Sequence, residues 1–120
     1  MAKSVSTFML RQRAFLKLYL IKLVEEERLY GLEILETLKG EFKAYGYKPT
    51  HSEIYKSLHE LMADGILDRY RRPKEGTKLQ EVVYYRFNDL EEAKRYKKQL
   101  KVELDRCVGL LQKALKDNYR

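Results

Sequence analysis

The C-terminal segment most strongly constrains what this chain can fold into. From Leu90 to about Lys116 the apolar side chains recur every three or four positions, the spacing of one helix face, at Ala93, Tyr96, Leu100, Leu104, Cys107, Leu111, Ala114 and Leu115. At about 1.5 Å per residue such a helix extends about 40 Å, farther than the rest of a 120-residue chain readily covers. We therefore expect part of this face to pack against a second chain.

Two helices are predicted in the N-terminal part of the chain. Apolar residues recur at helical spacing over residues 11–24 and again over residues 30–42. The acidic run 25–27 separates them, because carboxylates are unfavourable at the negative end of one helix and favourable near the start of the next. Segment 45–49 contains a glycine and a proline, which end the second helix.

A third helix has the clearest start. Thr50 stands three positions before Glu53, which matches a capping box in which each side chain satisfies a free backbone N–H. Helical spacing continues until Gly65, which can adopt the left-handed conformation that closes a helix. The third helix is therefore predicted over residues 52–64, and the side chains expected to face the core are Ile54, Leu58 and Leu61.

The hydrophobic period changes after the third helix. Residues 66–70 and 81–87 have the composition of strands, and the polar segment 71–78 between them reads as a basic loop. Three helices, a hairpin and a long final helix predict an α+β fold, a winged helix-turn-helix. Residues 1–89 would form the winged helix and residues 90–120 the dimerisation helix of one compact domain.

This arrangement predicts binding to double-stranded DNA. The helix after the turn enters the major groove, and the hairpin follows the backbone or reaches a neighbouring groove. The exposed early positions of the third helix are Thr50, His51, Ser52, Tyr55 and Lys56. The loop cations spaced to follow phosphates are Arg71, Arg72, Lys74 and Lys78, to which Arg11 and Arg13 could add contacts. The alternative is that these charges only solvate exposed faces.

The charge balance also favours an anionic partner. The chain has a net charge of +7 and a pI near 9.4. Residues 1–24 carry five basic side chains and no acid, whereas residues 25–47 carry three basic and six acidic ones, so we expect one face to attract DNA and another not to. The single cysteine, Cys107, excludes an intrachain disulfide, and no apolar run is long enough to span a bilayer. We expect a soluble cytoplasmic protein associated with the nucleoid.

Catalysis and cofactor binding have no candidate residues in the sequence. His51 and His59 lie eight residues apart on one predicted helix, without a cysteine or carboxylate set at metal-ligand spacing. Cys107 lies on the apolar face of the last helix, where a thiol usually behaves as a small buried hydrophobic group. We therefore predict that the chain is not an enzyme and holds no metal or cofactor.

Several strings resemble the replication terminator protein family of Gram-positive bacteria in the same order. They are QRAFLKLY (12–19), ERLYGL (27–32), YKPTHSEIYKSLHELMADGIL (47–67), EGTKLQEVVYYRF (75–87) and KRYKKQLKVELDRC (94–107). The resemblance covers nearly the whole chain. It implies a homodimer formed through antiparallel C-terminal helices, with two dimers cooperating on adjacent half-sites of a terminator. It also implies polar arrest of replication forks by blocking the replicative helicase.

Residue roles carried over from the family are expectations at this stage. The DNA-facing residues would be Arg11, Arg13, Lys48, His51, Ser52, Tyr55, Lys56, Arg69, Arg71 and Lys74, and the dimer seam would include Tyr96, Leu100, Leu104, Cys107 and Leu111. Thr50 and Lys56 stand where the family pattern has asparagine and arginine. Because lysine cannot reproduce a bidentate guanidinium contact, we expect the site preference to differ.

The resemblance also suggests a helicase contact in the connection between the first two helices, at Glu26, Glu27 and Tyr30. The alternative for Tyr30 is a half-buried side chain that anchors the second helix.

Two other functions of the protein remain open. The string YGLEIL before a helix and a basic wing is similar to PadR-like transcriptional repressors, which also dimerise through C-terminal helices. The other is a protein-interaction module that does not contact DNA.

Overall fold

The computed structural model describes residues 8–27, 31–73 and 81–119. Its elements are α1 (Gln12–Glu25), α2 (Gly31–Phe42), a 3-10 turn (Lys43–Tyr45), α3 (His51–Ala63), β1 (Leu67–Pro73), β2 (Glu81–Phe87) and α4 (Leu90–Asn118). The predicted winged helix-turn-helix is confirmed, and the predicted helix boundaries are correct to within two residues. Strand β1 runs three residues farther than predicted, so Arg71 and Arg72 lie on a strand instead of in a loop.

Local signals end the helices close to where the sequence predicts. Glu27, just after α1, has a positive φ of 61°, which residues other than glycine rarely adopt. Thr50 caps α3, because its hydroxyl accepts the backbone N–H of Glu53 at 3.1 Å. Only this half of the predicted capping box forms, since the Glu53 carboxylate pairs with Arg13 at 3.3 Å. Gly65 closes α3 with a φ of 77°.

Helices α1, α2 and α3 enclose the apolar core. Its most deeply buried side chains are at most 1% exposed and include Leu16, Leu20, Ile21, Ile34, Leu38, Ile54, Leu58 and Leu61. The predicted core face of α3 is therefore confirmed. Each such side chain contributes about 1.5–3 kcal/mol by leaving water. At one end of the core, the rings of Phe15, Tyr19, Phe42 and Tyr47 pack with centroids 4.7–6.0 Å apart.

The two strands form an antiparallel hairpin in continuous register from Leu67 opposite Phe87 to Pro73 opposite Glu81. Because side chains alternate along a strand, the hairpin has two faces. The inner face, which packs toward the core, carries Leu67, Arg69, Arg71, Val83, Tyr85 and Phe87. The outer face carries Asp68, Tyr70, Arg72, Val82, Tyr84 and Arg86.

Helix α4 begins beside the hairpin and ends away from the core. Asp89 caps it by accepting the backbone N–H of Glu92 at 3.1 Å. Its first turns are covered by the chain itself, with Ala93 0% and Leu100 3% exposed. Farther along, large apolar side chains face solvent, as Leu111 at 52% and Leu115 at 61% exposed show. The 29 residues of α4 thus divide into a packed half and an uncovered half.

Candidate nucleic-acid interface

The exposed side of α3 brings together most of the residues predicted to contact bases. His51, Ser52, Tyr55 and Lys56 all face solvent, on the side opposite the buried leucines. Ser52, Tyr55 and Lys56 line a shallow surface depression that also includes His59, Arg13 and Glu60. Hydroxyl, phenol, imidazole and ammonium groups therefore share one solvent-facing surface, with donors and acceptors suited to base edges and phosphates.

The segment before α3 adds polar groups at the N-terminal end of that helix. The Lys39 ammonium donates to Nε2 of His51 at 2.9 Å, so this imidazole is held near the helix start by a cation from α2. Lys48 is exposed, and the adjacent Pro49 is buried, which anchors the segment. Free backbone N–H groups at a helix start attract anions, so Lys48 and His51 lie where a phosphate is favoured.

The inner face of the hairpin carries two further exposed cations. Arg69 and Arg71 are exposed and lie on the same face as the buried Tyr85. Burial is the main reason that the pKa of Tyr85 is raised. Tyr55 raises it further, whereas Arg69 opposes the shift. Arg69 is the direct cross-strand partner of Tyr85, and Tyr55 of α3 is near enough to Tyr85 to affect its pKa. A duplex bound along α3 could meet these two guanidinium groups.

The outer face of the hairpin holds a different arrangement of cations. The rings of Tyr70 and Tyr84 stack with centroids 5.5 Å apart, and the guanidinium groups of Arg72 and Arg86 lie 5.2 and 4.6 Å from the Tyr70 centroid. Arg86 also pairs with Asp68 at 3.6 Å. Strand alternation thus separates Arg72 from Arg71. The prediction missed Arg86, although its position opposite Asp68 follows from the strand register.

The two predicted cations of the N-terminal side differ in their surroundings. Arg11 is exposed at the position before α1. Arg13 instead pairs with both Glu53 and Glu60 of α3, and hydrogen bonding to Glu60 is the main reason that its pKa is raised. Lys17 donates to the same Glu60 at 2.6 Å. The predicted cations Lys74 and Lys78 lie outside the described residues.

The residues predicted for a dimer seam lie along α4 in graded exposure. Tyr96 packs against the core and donates its hydroxyl to the Ala14 carbonyl at 3.3 Å, and burial raises the pKa of Tyr96 to about 12. Leu100 and Cys107 are buried, Leu104 is half-buried, and Leu111 is exposed. An uncovered face combines Leu104 and Leu111 with two side chains outside the predicted seam, Val108 and Leu115. Their spacing of four, three and four residues was readable from the sequence.

The acidic connection after α1 is partly described. The carboxylate of Glu26 pairs with Lys22 at 3.1 Å, which raises the pKa of Lys22. Glu25 pairs with Lys97 of α4 at 3.1 Å, and Glu27 is exposed. Tyr30 lies outside the described residues. Within the described residues, Glu25 and Glu26 thus each have a cationic partner that offsets their negative charge.

Other kinds of site receive no support from the described part of the chain. Across residues 8–27, 31–73 and 81–119, no group of three or more histidine, cysteine or acidic side chains is arranged to hold a metal ion. Within the same ranges no helix is long and apolar enough to cross a membrane.

Comparisons with known proteins agree with this geometry. Pex from Synechococcus superposes with a TM-score of 0.62 at 16% identity, covering 79% of this chain and 84% of its own. A transcriptional regulator from Clostridium thermocellum gives a TM-score of 0.60 at 20% identity, covering 90% and 96%. At such identities these likenesses show the winged-helix fold alone.

Sequence similarity is more specific. The replication termination proteins of Bacillus subtilis and Bacillus spizizenii are 62% identical to this chain over 117 residues, which is 98% of this chain and 96% of each relative. The sequence profile of the replication terminator protein family matches residues 7–119. The chain therefore belongs to the replication terminator protein family.

Proposed function

We propose that this protein binds replication terminator sites in double-stranded DNA as a homodimer and arrests replication forks approaching from one direction. The observation that carries the proposal is the 62% identity, over 98% of the chain, to proteins named for replication termination. That similarity extends through α3 and the hairpin to the end of α4, so every element that the function needs is included.

DNA contact is assigned to α3 and the inner face of the hairpin. Helix α3 lies in the major groove, where Ser52, Tyr55 and Lys56 reach base edges or phosphates. Lys48, His51, Arg69 and Arg71 bind the backbone on either side, and Arg11, Lys74 and Lys78 extend the contact. Each neutralised phosphate makes the affinity more dependent on salt. The exposure of Ser52, Tyr55 and Lys56 on α3 and of Arg69 and Arg71 on the hairpin supports this assignment.

Dimer formation is assigned to α4. The uncovered face formed by Leu104, Val108, Leu111 and Leu115 exposes apolar groups that water disfavours. An antiparallel helix from a second copy would cover it, as expected for coiled-coil spacing. The buried residues of the predicted seam, Leu100 and Cys107, would then support this face from within each protomer.

Polarity of fork arrest requires that the bound protein present different surfaces to the two directions. We propose that two dimers occupy adjacent half-sites with unequal strength, so that a helicase meets a firmly held dimer from one side only. A direct helicase contact would fall at the connection after α1, where Glu27 is exposed. A winged-helix repressor would share the DNA contact but would need no such polarity.

The test is a strand-displacement assay with a replicative helicase that approaches a high-affinity duplex site from each side, over a range of protein concentrations. Blockage from one side supports fork arrest. Lys56→Ala should weaken that blockage, whereas Lys98→Ala, which removes the same charge from an exposed position on α4, should not. Tight site binding with no directional blockage would favour a transcriptional repressor. Absence of site-specific binding would contradict both functions.

A further inference from the structure

Four charged side chains connect α1 to the recognition helix α3, and we call them the α1–α3 ionic cluster: Arg13, Lys17, Glu53 and Glu60. The guanidinium of Arg13 reaches both glutamates, at 3.3 Å for Glu53, and Lys17 donates to Glu60 at 2.6 Å. The glutamates are seven residues apart on one face of α3, and the cations are four residues apart on one face of α1. The cluster therefore spans two turns of α3 and one turn of α1.

A buried serine lies between the two glutamates in the sequence of α3. Ser57 is 0% exposed and donates its hydroxyl to the Glu53 carbonyl at 2.8 Å. Because residues 53, 57 and 60 share one helix face, the two carboxylates stand on a face of α3 that is partly buried.

The cluster borders the proposed DNA-binding surface. Arg13 and Glu60 line the same depression as Ser52, Tyr55 and Lys56. Arg13 lies at this edge, already paired with both carboxylates, and Lys17 is bound to Glu60 from the α1 side. The two positive and two negative charges cancel, so the cluster adds no net attraction for phosphate.

Ionisation favours the paired state at neutral pH. Hydrogen bonding by Lys17, and then by Arg13, lowers the pKa of Glu60, and hydrogen bonding to Glu60 and Glu53 raises the pKa of Arg13. Both shifts favour the charged forms of Arg13 and Glu60, which are the forms that pair. A phosphate that recruits Arg13 or Lys17 competes with the carboxylates that already hold these cations.

We propose that the two carboxylates of the α1–α3 ionic cluster determine DNA specificity. They retain both cations on the protein, so that neither contributes to binding duplexes of arbitrary sequence. Glu60 is the main positioning residue, because it pairs with both cations, whereas Glu53 pairs with Arg13. This inference rests on the proposed DNA-binding function.

The experiment compares the affinity of Glu60→Gln and wild-type protein for two duplexes across a series of salt concentrations. One duplex is a site selected from a random pool by the wild-type protein, and the other has random sequence. On random duplex, we expect the slope of log affinity against log salt to become steeper by roughly 1, the effect of about one additional phosphate contact. The ratio of site affinity to random affinity should fall, and the gain of the variant on random duplex should shrink by a factor of roughly 3.5 as salt rises from about 50 to about 200 mM.

Matched variants separate this role from a general charge effect. Glu36→Gln makes the same charge change at an exposed position of α2 and should leave both the slope and the ratio unchanged. Glu60→Asp, which keeps the carboxylate, should restore much of the specificity. The double variant Arg13→Gln with Glu60→Gln should lose part of the steeper slope, because one released cation is gone. If Glu60→Gln does not fold, Glu53→Gln carries the same test with a smaller expected change.

Each outcome is decisive for a particular claim. Equal slopes and ratios for Glu60→Gln and Glu36→Gln would overturn the specificity role while leaving DNA binding intact. A parallel loss of affinity for both duplexes would also overturn it, since the glutamate would then be needed for binding itself. If the wild-type protein bound neither duplex, the proposed DNA-binding function would fail, and the inference with it.

Discussion

Removing Arg71 should weaken DNA binding through the loss of a phosphate contact, and removing its neighbour Arg72 should not. Arg71 is exposed on the inner face of the hairpin, on the side of Tyr85, which lies near Tyr55 of α3. Arg72 lies on the outer face, where its guanidinium is 5.2 Å from the centroid of the Tyr70 ring. The two variants Arg71→Ala and Arg72→Ala therefore change the charge equally at adjacent positions on opposite faces.

The expected magnitude follows from counterion release. One phosphate contact contributes about 0.9 to the slope of log affinity against log salt. Over a fourfold rise in salt, from about 50 to about 200 mM, this corresponds to a factor of roughly 3.5. The affinity advantage of wild-type protein over Arg71→Ala should therefore shrink by about that factor across the range, because the wild-type affinity falls more steeply.

The Arg72→Ala variant should show its effect in stability instead. A cation–π contact at an exposed site contributes about 0.5–1 kcal/mol, so a small decrease in the free energy of unfolding is expected, with the salt slope unchanged. Fluorescence anisotropy with a labelled duplex gives the slopes, and urea denaturation gives the stabilities. A reduced slope for Arg72→Ala together with an unchanged slope for Arg71→Ala would refute the assignment of the inner face to DNA.

Three further predictions concern the dimer, the core and the ionic cluster. Leu111→Asp should shift the protein toward monomer in analytical ultracentrifugation, because it places a charge on the uncovered face of α4, whereas Gln112→Asp, on the exposed adjacent position, should not. Leu58→Ala should lower the free energy of unfolding by about 2–5 kcal/mol in urea denaturation, since the side chain is 1% exposed, and an unchanged value would contradict the described core. The pKa of Glu60 is lowered in the folded state, so its ion pairs stabilise the protein above the ordinary pKa of 4.5 and less as pH falls below it. The stability difference between wild-type protein and Glu60→Gln, followed by thermal unfolding at several pH values, should therefore diminish on acidification, and a constant difference would argue against this pairing.

Features specified by neighbouring residues were the easiest to predict from the sequence. Thr50 caps a helix by bonding three residues ahead, and Gly65 closes it through its own backbone freedom, so both ends of α3 could be read locally. The end of β1 could not be predicted in this way, because Pro73 and the polar residues around it resemble a turn. Cross-strand pairing of Arg71 with Val83 and of Arg72 with Val82 extends the strand, and proline is tolerated at its last position.

Some features of the candidate site could likewise be predicted from local sequence, and others could not. Exposure of Ser52, Tyr55 and Lys56 follows from the helical period, since the core residues of α3 recur every three or four positions on the opposite face. The pairing of Arg13 with Glu60 joins residues 47 positions apart in the chain, and no local pattern specifies it. Arg13 therefore looked like a free cation in the sequence and is a paired one in the structure.

The connection between the hairpin and α4 links the two parts of the proposed function. The backbone N–H groups of Asn88 and Asp89 both donate to the Ile66 carbonyl, at 2.9 and 3.3 Å, and the Asn88 side chain donates to the Gly65 carbonyl at 2.9 Å. The start of α4 is thus bonded to the turn that ends α3.

Further along, α4 is bonded to the rest of the winged helix as well. Tyr96 donates to the Ala14 carbonyl, and Lys97 pairs with Glu25, so one turn of α4 is held against α1 at two points. The direction of α4 is therefore coupled to the orientation of α3 through bonds at both the turn and α1. A dimer formed through the uncovered half of α4 would consequently fix the distance and angle between two recognition helices. Half-site spacing on the DNA is then a property of α4 packing, even though α4 supplies none of the proposed base contacts.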